Sequence, residues 1–208
     1  MSTKKIYLTR HGQTDFNLQG IVQGSGVDSD LNATGRAQAQ AFYARYKDTH
    51  FNKLYVSALK RTHQSVQQFI DGGLSYEALP ELNEISWGIR EGVPVDKEGH
   101  AHYWDMVKRW REGEVHLRIE GGESPEDVAE RLKRGMDHIM SKTEEEQILI
   151  CMHGRSMRVL LTVLLNYPLS SMDLFQHHNL GLYELTFTGN QYVVDRYNDT
   201  SHLDFLNV

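Results

Sequence analysis

The stretch Ile6-Tyr7-Leu8-Thr9-Arg10-His11-Gly12 passes from a short apolar segment into an arginine, a histidine and a glycine. Its distant counterpart is Gln147-Ile148-Leu149-Ile150-Cys151-Met152, followed by His153-Gly154-Arg155. Short apolar or β-branched runs bounded by polar residues read as buried strands, so Ile6–Thr9 and Gln147–Met152 are both expected strands. Each ends in a His-Gly turn. Ligands of open α/β sheets collect beyond the carboxyl ends of strands, which places both histidines at one crevice.

The rest of the chain alternates in the same way. Leu54-Tyr55-Val56-Ser57 reads as another strand. Thr34 is a candidate cap for a helix whose Ala37, Ala41, Phe42 and Tyr46 recur at helical spacing. Arg61–Ile70 reads as a helix ended by Gly72-Gly73. Ser124-Pro125-Glu126-Asp127 combines a cap, a proline at the first helical position and acidic residues that suit the positive end of the dipole. It starts a helix expected to run to about Met140. Ser156–Leu165 reads as a helix stopped ahead of Pro168, and Leu182–Thr186 and Gln191–Arg196 as strands joined through Thr188-Gly189-Asn190. This alternation specifies an α/β fold with a mostly parallel central sheet, helices on both faces and an antiparallel strand near the C-terminus. No repeat, low-complexity tract or linker marks a boundary, so residues 1–208 read as a single domain.

A net charge of -6 argues against a nucleic-acid partner, so an anionic ligand requires a local positive pocket. The one cysteine, Cys151, excludes a disulfide framework and suits a reducing compartment. The apolar run after Lys4-Lys5 is too short for a secretory h-region or a membrane span. The expectation is a cytoplasmic protein with no membrane association. Nothing in the sequence selects between a monomer and an oligomer.

The residues beyond the two strands suit phosphoryl transfer, which needs an in-line nucleophile, positive groups around the equatorial oxygens and a proton donor for the leaving oxygen. A neutral His11 supplies a nucleophile without a separate base, provided an acceptor fixes its tautomer. Arg10 and Arg61 offer fork-shaped donors that match phosphate oxygens, and His153 adds another. Glu81, Glu84 and Glu91 all lie in the stretch from which a carboxyl proton donor can come. Inorganic phosphate is an expected weak occupant. A thiol phosphatase is excluded, because such an enzyme needs an arginine six positions after the cysteine and Met157 stands there; Cys151 reads as a buried structural thiol. His100 with His102, and His177 with His178, lack the acidic partner of an H-E-x-x-H metal motif. Gly20, Gly24 and Gly26 match neither a P-loop nor a dinucleotide fingerprint, so neither metal nor cofactor is expected.

Taken in order, these segments resemble the histidine phosphatase superfamily, the phosphoglycerate mutase-like fold. The first signature is Leu8-Thr9-Arg10-His11-Gly12-Gln13-Thr14-Asp15-Phe16-Asn17, with Phe16 where the family most often has tryptophan. Asp30-Leu31-Asn32-Ala33-Thr34-Gly35 is similar to its following helix start, Ser57-Ala58-Leu59-Lys60-Arg61-Thr62-His63 to its second signature, Leu82-Asn83-Glu84-Ile85-Ser86-Trp87-Gly88 to its acid-bearing segment, and Met152-His153-Gly154 to its second histidine. The resemblance implies a three-layer sandwich, a phosphohistidine at His11, metal-independent catalysis, Glu84 as the acid, and phosphate contacts from Arg10, Asn17, Gln23, Arg61 and His153. It implies a phosphatase acting on a small phosphorylated metabolite, with a phosphoglycerate mutase as the alternative and a non-catalytic phosphoryl-ligand or partner-binding module third. Mutases of the family usually follow the acid with Arg-His-Tyr-Gly, whereas Glu84 is followed by Ile85-Ser86-Trp87. Residues 93–122, with Trp104, Trp110, Lys108, Arg109, Arg111 and Arg118, read either as a cap that sets substrate choice or as an amphipathic helix with buried tryptophans and solvated basic residues.

Overall fold

The computed structural model describes residues 3–93 and 97–206, with residues 97–101 described by backbone alone, so the His100 side chain lies outside the described residues. In chain order the elements are β1 (Lys4–Arg10), α1 (Asp15–Leu18), α2 (Ala33–Tyr46), β2 (Lys53–Val56), α3 (Lys60–Asp71), β3 (Tyr76–Ala78), α4 (Lys97–Arg111), α5 (Pro125–Ser141), β4 (Gln147–Met152), α6 (Gly154–Leu164), β5 (Leu182–Phe187) and β6 (Tyr192–Asp199).

Strand alternation builds the layers. Ile6, Leu8, Ile148, Ile150 and Met152 point to one face of the sheet and pack with Leu132 and Ile139 of α5 and Met157 and Leu160 of α6. Tyr7, Leu149 and Cys151 point to the other and pack with Phe42 and Tyr46 of α2 and Val66 and Phe69 of α3. A strand covered on both faces has no polar side to show, which is why Ile148 through Met152 is continuously apolar and wholly buried. The result is the three-layer α/β sandwich.

The sheet runs β3-β2-β4-β1-β5-β6. β1, β2, β3 and β4 are mutually parallel, while β5 runs antiparallel to both β1 and β6. The functional consequence lies in the β1–β4 register: Arg10 pairs with Met152, so His11 and His153 leave adjacent strands at the same level. The His11 N–H donates to the Met152 carbonyl at 3.0 Å, carrying the ladder one residue further.

At α5 the predicted start is present as a full capping box: the Asp127 N–H donates to Ser124 Oγ at 3.2 Å and the Ser124 N–H to Asp127 Oδ2 at 2.8 Å. At α2 the cap is Asn32, not Thr34. Asn32 is extended and its Oδ1 accepts the Gly35 N–H at 2.8 Å, which leaves Thr34 within the first turn. β3 was not anticipated; it is a three-residue edge strand, with Tyr76 exposed.

Candidate active site

His11 is buried at the end of β1, on the wall of a cavity of about 660 Å³. Its Nδ1 lies 2.7 Å from the Gly12 carbonyl oxygen, an acceptor only, so Nδ1 carries the proton and donates it. Nε2 therefore keeps its lone pair. Burial, reinforced by Arg61 and Arg10, holds the proton affinity of the ring well below that of an ordinary histidine. Gly12 is dictated by packing, since a Cβ there would lie 2.7 Å from the Gly35 carbonyl oxygen of α2.

Behind His11 stand His153 and Arg61, both fully buried, with the two imidazole centroids 5.1 Å apart. Arg61 Nε donates to His153 Nδ1 at 3.1 Å, Nη1 to the Val27 carbonyl at 2.6 Å and Nη2 to the Gly24 carbonyl at 3.2 Å. One proton remains on each terminal nitrogen. Because His153 Nδ1 is an acceptor, its Nε2 carries the proton and donates to Ser57 Oγ at 2.8 Å. Burial and the neighbouring Arg61 hold His153 neutral. Neither residue forms part of the cavity wall.

Arg10 is on the wall. Its Nη1 donates to His177 Nδ1 at 3.3 Å, its Nε is buried without a partner among the described residues, and desolvation pushes its pKa down to about 10. His177 is itself held neutral, pushed down to about 2 by burial and then by Arg10. It lies against the start of α6, where a Cβ on Gly154 would meet its ring at 2.7 Å.

The glutamates left open by spacing separate cleanly. Glu84 lines the cavity and its carboxylate accepts the N–H groups of Ser156 at 2.8 Å, Arg155 at 3.0 Å and Ile85 at 3.0 Å; Ser156 Oγ lies 3.0 Å away and gives its one proton to the Asn83 carbonyl at 2.7 Å. Two of those donors are free N–H groups of the first turn of α6, which offers a ready anion site. Glu91 faces away from the cavity, accepting the N–H groups of Gly26 at 2.6 Å and Trp87 at 2.8 Å. Glu81 is also off the wall, with its backbone carbonyl held by Arg131, which reaches the Asn83 and Glu84 carbonyls as well.

Asn17 and Gln23 are both on the wall. Asn17 Oδ1 accepts the Thr14 N–H at 3.2 Å and Asn179 Nδ2 at 3.3 Å, so its amide protons are what it can offer a ligand. Gln23 donates to Thr14 Oγ1 at 2.7 Å and accepts from Ser29 Oγ at 2.6 Å. α4 contributes Tyr103, Arg111 and a half-exposed Trp104, while Trp110 is buried under Arg155, whose guanidinium lies 5.6 Å from its ring centroid. Along α4 the side chains part: Trp110 is core, Lys108 is exposed, Arg109 is half-buried and paired with Glu114, and Trp104 and Arg111 line the cavity. His177, Arg155 and Asp173 carried no local signal beyond the His177-His178 pair. Among the described residues no group of three or more His, Cys, Asp or Glu is placed to hold a metal ion, and no helix is long and apolar enough to cross a membrane.

The chain is similar over nearly its whole length to known proteins. A protein of Erwinia tasmaniensis named "probable phosphoglycerate mutase GpmB" is 28% identical over 206 residues, covering 96% of this chain and 95% of its own. The alpha-ribazole phosphatase of Shigella flexneri superposes with a TM-score of 0.83 at 23% identity, covering 94% and 96% of the two chains. A mycobacterial glucosyl-3-phosphoglycerate phosphatase in complex with VO3 superposes with a TM-score of 0.84 at 24% identity, covering 95% of this chain and 100% of its own. At these identities the two structures speak for the fold. The sequence itself matches the family model of the histidine phosphatase superfamily (branch 1) over residues 6–200, and with its paired His-Gly turns on adjacent parallel strands the chain belongs to that superfamily.

Proposed function

We propose that the protein is a metal-independent phosphomonoesterase that hydrolyses small phosphorylated metabolites through a phosphohistidine on His11. The observation that carries this reading is the state of the His11 ring: Nδ1–H is bound to the Gly12 carbonyl, and burial beside two arginines keeps Nε2 unprotonated. Nε2 attacks phosphorus as the bond to the leaving oxygen breaks, and Glu84 gives that oxygen its proton. The Glu84 carboxylate then takes a proton from water as it attacks the phosphohistidine, releasing inorganic phosphate and restoring neutral His11. Arg10 and the Asn17 amide, both on the cavity wall, serve the equatorial oxygens, and Arg61 adds its positive charge from behind His11. His153 keeps Arg61 aimed, and Gln23 steadies Thr14 at the cap of α1. α4 acts as a cap that selects the leaving group. The single buried cysteine fits a reducing, cytoplasmic setting.

The test is His11→Ala assayed on p-nitrophenyl phosphate: turnover is expected to fall to background, and retained activity would sink the nucleophile assignment. A mutase is the second reading, favoured by the name of the 28% identical relative. Release of inorganic phosphate from 3-phosphoglycerate, set against its conversion to 2-phosphoglycerate, separates the two. Hydrolysis is preferred because Ile85-Ser86-Trp87 replaces the Arg-His-Tyr-Gly of the mutases.

A further inference from the structure

The far end of the cavity holds more positive charge than its one carboxylate neutralises. Asp173 Oδ1 accepts Arg155 Nη1 at 2.7 Å and also Arg158 Nη1, while Oδ2 accepts Arg111 Nε at 2.8 Å. Arg155 is tied on both sides: its Nη2 donates to the Tyr103 hydroxyl at 3.1 Å and its plane rests on Trp110. Arg158 is not. Only its Nη1 is engaged, and its Nε is buried without a partner among the described residues. Arg111 is half exposed and engages a single nitrogen.

Around the whole cavity, Arg10, Arg111, Arg155 and Arg158 face Glu84 and Asp173, in a chain whose net charge is -6. A phosphoryl group at His11 and Arg10 answers only the inner part of that charge. His177 stands between the two ends, bound to Arg10 and held neutral by burial and by Arg10, Arg158 and Arg155, so it neither adds to nor offsets the excess. Arg155 joins the ends: its backbone N–H holds Glu84 Oε2 at 3.0 Å while its side chain holds Asp173.

We propose that Arg111 and Arg158, fixed in place by Asp173 and Arg155, form a second anion subsite, and that the preferred substrates are phosphomonoesters whose leaving group carries another anion, a carboxylate or a second phosphate. The proposal rests on the phosphomonoesterase reading above. Planar, fixed guanidinium groups with open donors suit such oxyanions better than water does, and a leaving group that lacks the anion leaves those charges unanswered.

The experiment measures kcat/KM of the full chain on matched pairs: phosphoserine against phosphoethanolamine for the carboxylate, and fructose 1,6-bisphosphate against fructose 6-phosphate for the phosphate. At least one arm should show a preference of about tenfold or more for the member that carries the second anionic group, and Arg158→Gln should collapse that ratio towards one. Arg111→Gln, at a half-exposed position on the cavity wall, should lower the same ratio and decides the matter if the Arg158 variant does not fold. Ratios near one in both arms of the wild type, or variants that depress both members of a pair equally, would overturn the subsite and leave the cluster as a tie between α4 and α6. Absence of wild-type turnover on p-nitrophenyl phosphate would overturn the phosphomonoesterase reading itself, and the subsite with it.

Discussion

Three backbone N–H groups converge on Glu84 and hold its carboxyl group at the mouth of α6. Gln at this position presents an NH2 group to donors and has no proton to give. Glu84→Gln is therefore expected to cut kcat by about 10²-fold or more on alkyl phosphates, where the leaving oxygen needs a proton, and by much less on p-nitrophenyl phosphate. Equal losses on both, read from steady-state kinetics, would argue against an acid. His11, Arg10 and Glu84 were all named from the sequence, yet spacing alone did not choose among Glu81, Glu84 and Glu91. What separates them is tertiary: the open end of α6 supplies N–H groups to Glu84, while the Gly24–Gly26 turn wraps Glu91 so closely that a Cβ on Gly24 would lie 2.2 Å from Glu91 Oε1. Asp173 escaped notice for the same reason, meeting Arg111 across 62 residues with no motif on its own side.

Elements with strong local signals were legible and weakly patterned ones were not. The Ser124 capping box is complete within four residues and was read correctly. β3 spans three residues on an edge, where no alternation develops, and Thr34 lost the cap to Asn32 because both residue types cap well and only the extended backbone at Asn32 decides. The contact between α2 and the His11 turn is among the tightest backbone approaches in the chain. A Cβ on Gly35 would stand 2.1 Å from the Gln13 carbonyl oxygen, backbone against backbone, with no flexible side chain to yield. Gly35→Ala must push α2 away from the turn, and is expected to destabilise the fold by about 1–3 kcal/mol. A lowered urea midpoint together with reduced kcat is the expected outcome; unchanged stability would show that the two elements can separate freely.

At the scale of the whole molecule the buried histidines couple stability to pH. His11, His153 and His177 all have native proton affinities far below the ordinary 6.5. Below about pH 6.5 the unfolded chain binds protons that the native state refuses, so the stability present above that pH is lost on acidification, by about 1.4 kcal/mol per pH unit for each histidine. The urea midpoint should therefore drop steeply between pH 7 and pH 5, and a flat profile would contradict the neutral assignments. The sheet order carries a consequence for biogenesis. β4 lies between β1 and β2 although both precede it in the chain, so a nascent polypeptide that has emerged only as far as α5 has the His11 strand but lacks the neighbour that β1 pairs with at Met152. The crevice of His11 and His153 closes only when that late strand enters the gap, so a product cut short ahead of β4 is expected to lack the site altogether.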